Sequence, residues 1–320
     1  RPSTSATASR LIRSARPGRC PRRSTTPGGA QRLQRRIKNR INLAGHETVE
    51  HTAHSSEDSR MHLAFDQSTD TGPAVVCLPM FSTSRAATAA ALRPAFAGEG
   101  LREIYLDLPG HGDTPAHCPP TSQAVLDTVC AWLDHHVDAP VLLAGGSYGA
   151  YLAAGIARQR PDLVRGLLLV CPGVTIARDS RNLPDDPPLE APTGWLDAAP
   201  AALHAHLDAA LGHRTPTVVA TVLAALNSGG PGDPTFQQQL QSGPGYALPD
   251  ETAEVVVDGP VSVITGRQDR IVGYADQFRA MRHYPRGTYT VIDAAGHYLP
   301  YEQPTVLRSL TQDWLRRTHT

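Results

Sequence analysis

The stretch VLLAGGSYGAYLAAGIARQR, Val141 to Arg160, decides how this chain is read. It opens with a short apolar run of the kind found in strands covered on both faces, and it closes with a helical pattern. Between the two, Gly145, Ser147 and Gly149 form a GxSxG pattern at a strand-to-helix junction. A sharp turn there strains the serine backbone and exposes its hydroxyl at the sheet edge. Glycines two residues to either side are required because any side chain would collide with neighbouring backbone. In an arbitrary loop the same letters would be an ordinary glycine-rich turn. In this context they mark Ser147 as a candidate nucleophile.

Working outward, similar runs occur at Val75 to Leu78, Ile104 to Leu108, Leu167 to Cys171, Val261 to Thr265 and Tyr289 to Asp293. Helical patterns lie between them. The clearest covers residues 121–137, with Pro119 and Pro120 ahead of a Thr121 or Ser122 cap and Val125, Val129 and Trp132 on one face. This alternation predicts an α/β fold, a mostly parallel sheet with helices on both faces, whose ligands bind at the C-terminal strand edge. TVEHTAHS and MHLAFD, separated by the turn-rich SEDSR, predict a hairpin leading into the sheet. Residues 175 to about 258 interrupt the rhythm with the clusters DDPPLEAP and NSGGPGDP around Ala- and Leu-rich patches. An insertion of that length between two strands predicts a helical cap over the site.

A serine hydroxyl needs a base, and imidazole is the usual one. Of fourteen histidines, His297 follows the last strand in DAAGHYLPYEQP, on the same edge as Ser147. His135 and His136 end a helix, and His204, His206 and His213 belong to the cap, where solvation is the expectation. The orienting acid is expected from another strand end, and ITGRQDRIVG supplies Asp269. Its rival, Asp293, is expected within the last strand. An ion pair with Arg267 or Arg270 is the structural alternative for Asp269.

Residues 1–46 carry twelve basic groups and no acidic one. With those set aside, 18 basic groups face 30 acidic ones, so the remainder carries about −12, which argues against nucleic acid as a partner. The leader, rich in Arg, Ser, Pro and Gly, is expected to be disordered. It reads either as a transit peptide or as translated sequence upstream of a start at Met61, and the second reading is the one adopted. The domain is expected over residues 47–320. Five cysteines without CxxC spacing suggest neither a disulfide nor a metal framework, and Cys77 and Cys171, inside apolar runs, are expected as buried small hydrophobes in a reducing, cytoplasmic setting. No run of eighteen apolar residues predicts a membrane span.

Taken in order, VVCLPMFSTS, YLDLPGHGDT, GGSYGA, TGRQDRIVG and DAAGHYLPYEQP, over residues 61–320, closely resemble the α/β-hydrolase superfamily, in its capped, single-domain esterase- and lipase-like group. The resemblance implies that Ser147 attacks an ester-like carbonyl of a small acyl substrate, that His297 takes its proton, and that Asp269 steadies the imidazolium. It also implies an oxyanion hole of two backbone N–H groups, those of Phe81 and Tyr148. Many relatives carry His-Gly where this chain has Pro79 and Met80, and Phe81 stands two residues beyond Pro79 as the usual donor stands beyond that histidine. His111 of LPGHG is given a structural role. No metal or organic cofactor is implied. A C–C hydrolase or lyase using the same triad, and a ligand-binding protein without turnover, are the alternative readings.

Overall fold

The computed structural model describes residues 62–138, 140–185 and 189–319. The basic leader and the first arm of the expected hairpin lie outside the described residues. Seven strands form one sheet: β1 (Phe65–Gln67), β2 (Ala74–Leu78), β3 (Arg102–Leu106), β4 (Val141–Gly146), β5 (Val164–Val170), β6 (Val261–Gly266) and β7 (Gly287–Ile292). Their order across the sheet is β1-β3-β2-β4-β5-β6-β7. Only β1, an exposed edge strand, runs antiparallel, pairing Phe65 with Leu106. The other five neighbouring pairs are parallel, as the unbroken apolar runs require.

Two apolar layers cover the sheet. On one face α1 (Arg85–Phe96) and α9 (Pro304–Thr318) pack Leu92, Phe96, Leu307 and Trp314 against Val75, Cys77 and Val170. On the other, α2 (Ser122–His136) and α3 (Ser147–Gln159) pack Val125, Val129, Trp132, Leu152 and Ile156 against Val76, Leu143 and Leu167. The predicted α2 is present within a residue at each end. Its cap is Thr121, whose hydroxyl accepts from the Ala124 amide at 3.2 Å.

The insertion between β5 and β6 carries three helices, α4 (His204–Ala210), α5 (Pro216–Leu226) and α6 (Pro234–Ser242). Proline opens α5 and α6, each behind a capping residue, Thr215 and Asp233. The helices do not share one core. Leu207, Leu211, Val219 and Val222 gather around Tyr298, while Phe236 and Leu240 join the main core beside Val125 and Tyr148. The insertion is therefore bolted to the sheet domain at two places. Beyond it come α7 (Ala275–Ala280) and α8 (Leu299–Glu302), the latter just ahead of α9. Among the described residues no helix is long and apolar enough to cross a membrane.

Because the Thr121 hydroxyl satisfies one orphan amide of α2, Thr121→Ala should lower stability by about 0.5–2 kcal/mol. The shift of a denaturant midpoint at unchanged slope measures it.

Candidate active site

The turn between β4 and α3 is set by two close approaches. A Cβ on Gly149 would lie 2.3 Å from the Leu78 carbonyl oxygen and 2.5 Å from that of Pro79. One on Gly145 would lie 2.6 Å from the Gly149 carbonyl carbon. With both positions bare, the first turn of α3 presses against β2, and Ser147 is carried at φ 51°, in the left-handed region that non-glycine residues rarely occupy. Its side chain is half-buried and reaches the sheet's C-terminal edge.

Two other strand ends meet it there. His297 Nε2 lies 2.9 Å from Ser147 Oγ, and His297 Nδ1 lies 2.8 Å from Asp269 Oδ2. Asp269 is fully buried, and its other oxygen accepts from the Ile271 and Val272 amides at 2.8 and 3.0 Å. A carboxylate surrounded by N–H donors calls for the Nδ1–H tautomer of His297, which leaves Nε2 free to accept the serine proton. Asp293 is not part of this chain of bonds. It lies one residue past the end of β7, not within the strand as expected, and its exposed carboxylate accepts from Gln268 Nε2 at 2.7 Å. That amide holds Asp293 below the usual carboxylate range.

Of the two expected oxyanion donors, Tyr148 directly follows the serine. Tyr148 is the second residue of α3, in the turn whose amides lack intrahelical acceptors. The Phe81 amide donates to no backbone acceptor among the described residues. Its loop is anchored where α1 begins, by the Arg85 amide on buried Asp107 Oδ1 at 2.5 Å. The Phe81 ring meets His111, Tyr148 and Tyr246 edge-on, with centroids 5.4, 5.4 and 5.8 Å away. His111 is buried, its Nδ1 is 2.9 Å from the Pro109 oxygen, and burial pushes its pKa down, all consistent with a structural part in the turn. Of the cap aromatics, Tyr246 joins this layer, whereas Phe236 is core and Trp195 lies under the Arg214 guanidinium.

The structure shows further contacts around Ser147, His297 and Asp269 that the sequence did not indicate. His206 is exposed, as expected of a cap histidine, yet its Nε2 lies 3.0 Å from the Tyr298 hydroxyl, and desolvation of the ring followed by nearby His297 pushes its pKa down. The Cys171 thiol donates to the Gly296 carbonyl at 3.5 Å. Glu302 takes backbone bonds from the loop just before His297 and from the cap. Among the described residues, Cys171, Asp269 and His297 are the one group with ligand-type atoms close enough to hold a metal, within 4.8 Å of one another. Their Asp and His atoms are already engaged with each other, and burial pushes the Cys171 thiol well up, which opposes the thiolate a metal needs.

The profile of the alpha/beta hydrolase family matches residues 75–310. The chain is 34% identical over 116 residues to the lipase LipV of Mycobacterium tuberculosis, covering 32% of this chain and 44% of that one. A pimeloyl-[acyl-carrier protein] methyl ester esterase of Neisseria meningitidis is 36% identical over 74 residues, covering 23% of this chain and 22% of its own. The matches thus span less than half the length of these curated relatives. Among solved structures, an alpha/beta superfamily hydrolase of Oenococcus oeni superposes with a TM-score of 0.71 at 24% identity, covering 82% of this chain and 97% of that one. A thermophilic esterase of Thermogutta terrifontis superposes with a TM-score of 0.61 at 24% identity, covering 81% and 94%.

The close approach at Gly149 is open to test. Gly149→Ala places a methyl group against two carbonyl oxygens and should destabilise by about 1–3 kcal/mol or more, and it should move Ser147 relative to β2. A variant as stable as the parent in a denaturant titration would show that the helix can shift away from β2.

Proposed function

This chain belongs to the alpha/beta hydrolase family, and from that membership together with the site geometry we propose that it is a serine hydrolase of ester-like bonds in small molecules. The observation that carries the proposal is the continuous hydrogen-bonded line from Ser147 through His297 to buried Asp269. In this reading Ser147 Oγ attacks the acyl carbon while its proton passes to His297 Nε2. Asp269 holds the ring and stabilises the imidazolium. The carbonyl electrons move onto oxygen, where the amides of Phe81 and Tyr148 stabilise the developing charge. Collapse of the tetrahedral adduct breaks the bond to the leaving group, which takes the proton from His297. Water, deprotonated by the same imidazole, then releases the acid and restores the serine.

Relatives that include a lipase and methyl ester esterases support an ester as the bond cleaved. The apolar cavity beside Gly146, lined by Leu78, Met80, Val170, Leu226 and Tyr298, supports an apolar portion in the substrate.

A panel of p-nitrophenyl esters tests the proposal. Ser147→Ala should lower kcat by about 10⁴ or more while the protein stays folded, and undiminished turnover in that variant would overturn the reading. Asp269→Asn should cost about 10⁴ through the wrong histidine tautomer, against little for Asp293→Asn. Reversal of that ranking would move the acid role to Asp293. For the oxyanion hole, Phe81→Pro removes the amide hydrogen and should lower kcat by about 10²–10³, whereas Phe81→Ala keeps it and should act mainly on KM. A larger kcat loss in folded Met80→Pro than in Phe81→Pro would shift the donor by one residue.

A further inference from the structure

We propose that Glu302 is a positioning residue, whose buried carboxylate ties the loop carrying His297 to the end of cap helix α4 and so keeps the imidazole in line with Ser147. The inference rests on the reading of His297 as the general base. Its footing is a convergence of backbone donors from distant parts of the chain. Oε2 of Glu302 accepts from the amides of Gly212 and His213, both at 2.7 Å, and Oε1 accepts from the Gly296 amide at 2.9 Å. The first two lie in the segment that leaves α4, and the third is the residue just before His297.

The same two segments touch directly. The His297 amide donates to the Ala210 carbonyl at 2.6 Å. A Cβ on Gly296 would lie 2.1 Å from that carbonyl oxygen, and one on Gly212 would lie 2.6 Å from the Ala295 carbonyl carbon. The histidine loop and the cap arm are therefore in contact at glycine separation, with the carboxylate spanning the junction. Only a group that accepts at both oxygens suits three converging N–H donors. A protonated carboxyl or an amide would point a donor at donors.

A carboxylate so enclosed is costly to keep charged. Burial pushes Glu302 up to about 7, against the opposing pull of the His213, Gly296 and Gly212 amides, and the nearby Asp269 charge adds to the rise. As pH falls through that region the carboxyl gains its proton, and the tie to the three amides weakens. The ionisable groups around His297 itself are Asp269 behind the ring, Cys171 beneath the loop and His206 from the cap. The His213 ring, with Nδ1 3.5 Å from the Glu302 carbonyl, faces the α8 backbone. Loss of the Glu302 charge therefore loosens the loop that ends at His297, because the Gly296 amide and the cap amides lose their shared acceptor.

Two full-length variants separate charge from reach. Glu302→Gln keeps the size of the side chain and loses the charge. Its kcat, counted per site titrated with a fluorophosphonate, should fall by about 10- to 100-fold with little change in KM, as expected for a displaced catalytic group. The fall in kcat/KM that accompanies Glu302 protonation in the parent should be absent from its pH profile. Glu302→Asp keeps the charge on a chain one methylene shorter, so kcat should fall while that step in the pH profile stays in place. An unchanged kcat per titrated site in both variants, or a loss confined to KM or to the fraction of active protein, would overturn the proposal, since a purely structural residue would do only that. Should neither variant fold, amide exchange in the unaltered protein reads the same tie. Protection at Gly212, His213 and Gly296 should be lost together as pH falls through the Glu302 titration, and independent loss would overturn it. If Ser147→Ala abolishes turnover while the Glu302 variants match the parent, this inference fails and the serine hydrolase reading stands.

Discussion

The first turn of α3 approaches the end of β2 so closely that the chain there has room only for glycine. With Gly149 against the Leu78 and Pro79 carbonyls and Gly145 against Gly149, Ser147 is forced to positive φ. The strained backbone is maintained by the surrounding packing, with Leu152, Ile156 and Tyr148 buried against the central strands. Everything else at the edge is arranged around that fixed point. Parallel pairing of β4 with β5 and of β5 with β6 brings the loops that follow β6 and β7 to the same end of the sheet. Asp269 and His297 therefore arrive beside Ser147 as a consequence of topology.

The electrostatics follow from the same placement. Asp269 is withdrawn from water, yet each of its oxygens has a partner, two backbone amides on one and the imidazole on the other. A buried carboxylate without those donors would be costly, and with them it fixes the ring and its tautomer. Next to the serine, the Tyr148 ring is buried and meets Phe81 edge-on, and the Phe81 amide donates to no backbone acceptor among the described residues. The loop that carries Phe81 is held in place by Asp107 through the Arg85 amide.

What could be read from the residues alone was whatever short-range pattern controls. The apolar runs located six strands to within a few residues, because in β2 to β6 burial on both faces leaves no alternation to misread. Thr121 announced the start of α2 through its capping chemistry. Ser147, His297 and Asp269 were legible because each stands just after a strand of a parallel sheet. The cap resisted, since its Ala- and Leu-rich helices give no sign of which core they join, and Phe236 packs against Gly110 in the main core. The tertiary bonds of His206 and Glu302 were missed for a related reason. Their partners, Tyr298 for one and Gly212, His213 and Gly296 for the other, come together only through tertiary packing across as many as 92 residues. A buried acid inside LPYEQP carries no local signal of the amides that hold it.

The central claim is that Ser147, strained at the elbow and bonded to His297, is the nucleophile. Reaction of the native protein with a fluorophosphonate, followed by digestion and mass spectrometry of the peptides, tests it most directly. A single adduct on Ser147, absent after denaturation before labelling, is the result predicted. An adduct on another residue, or none in protein shown to be folded, would contradict the account.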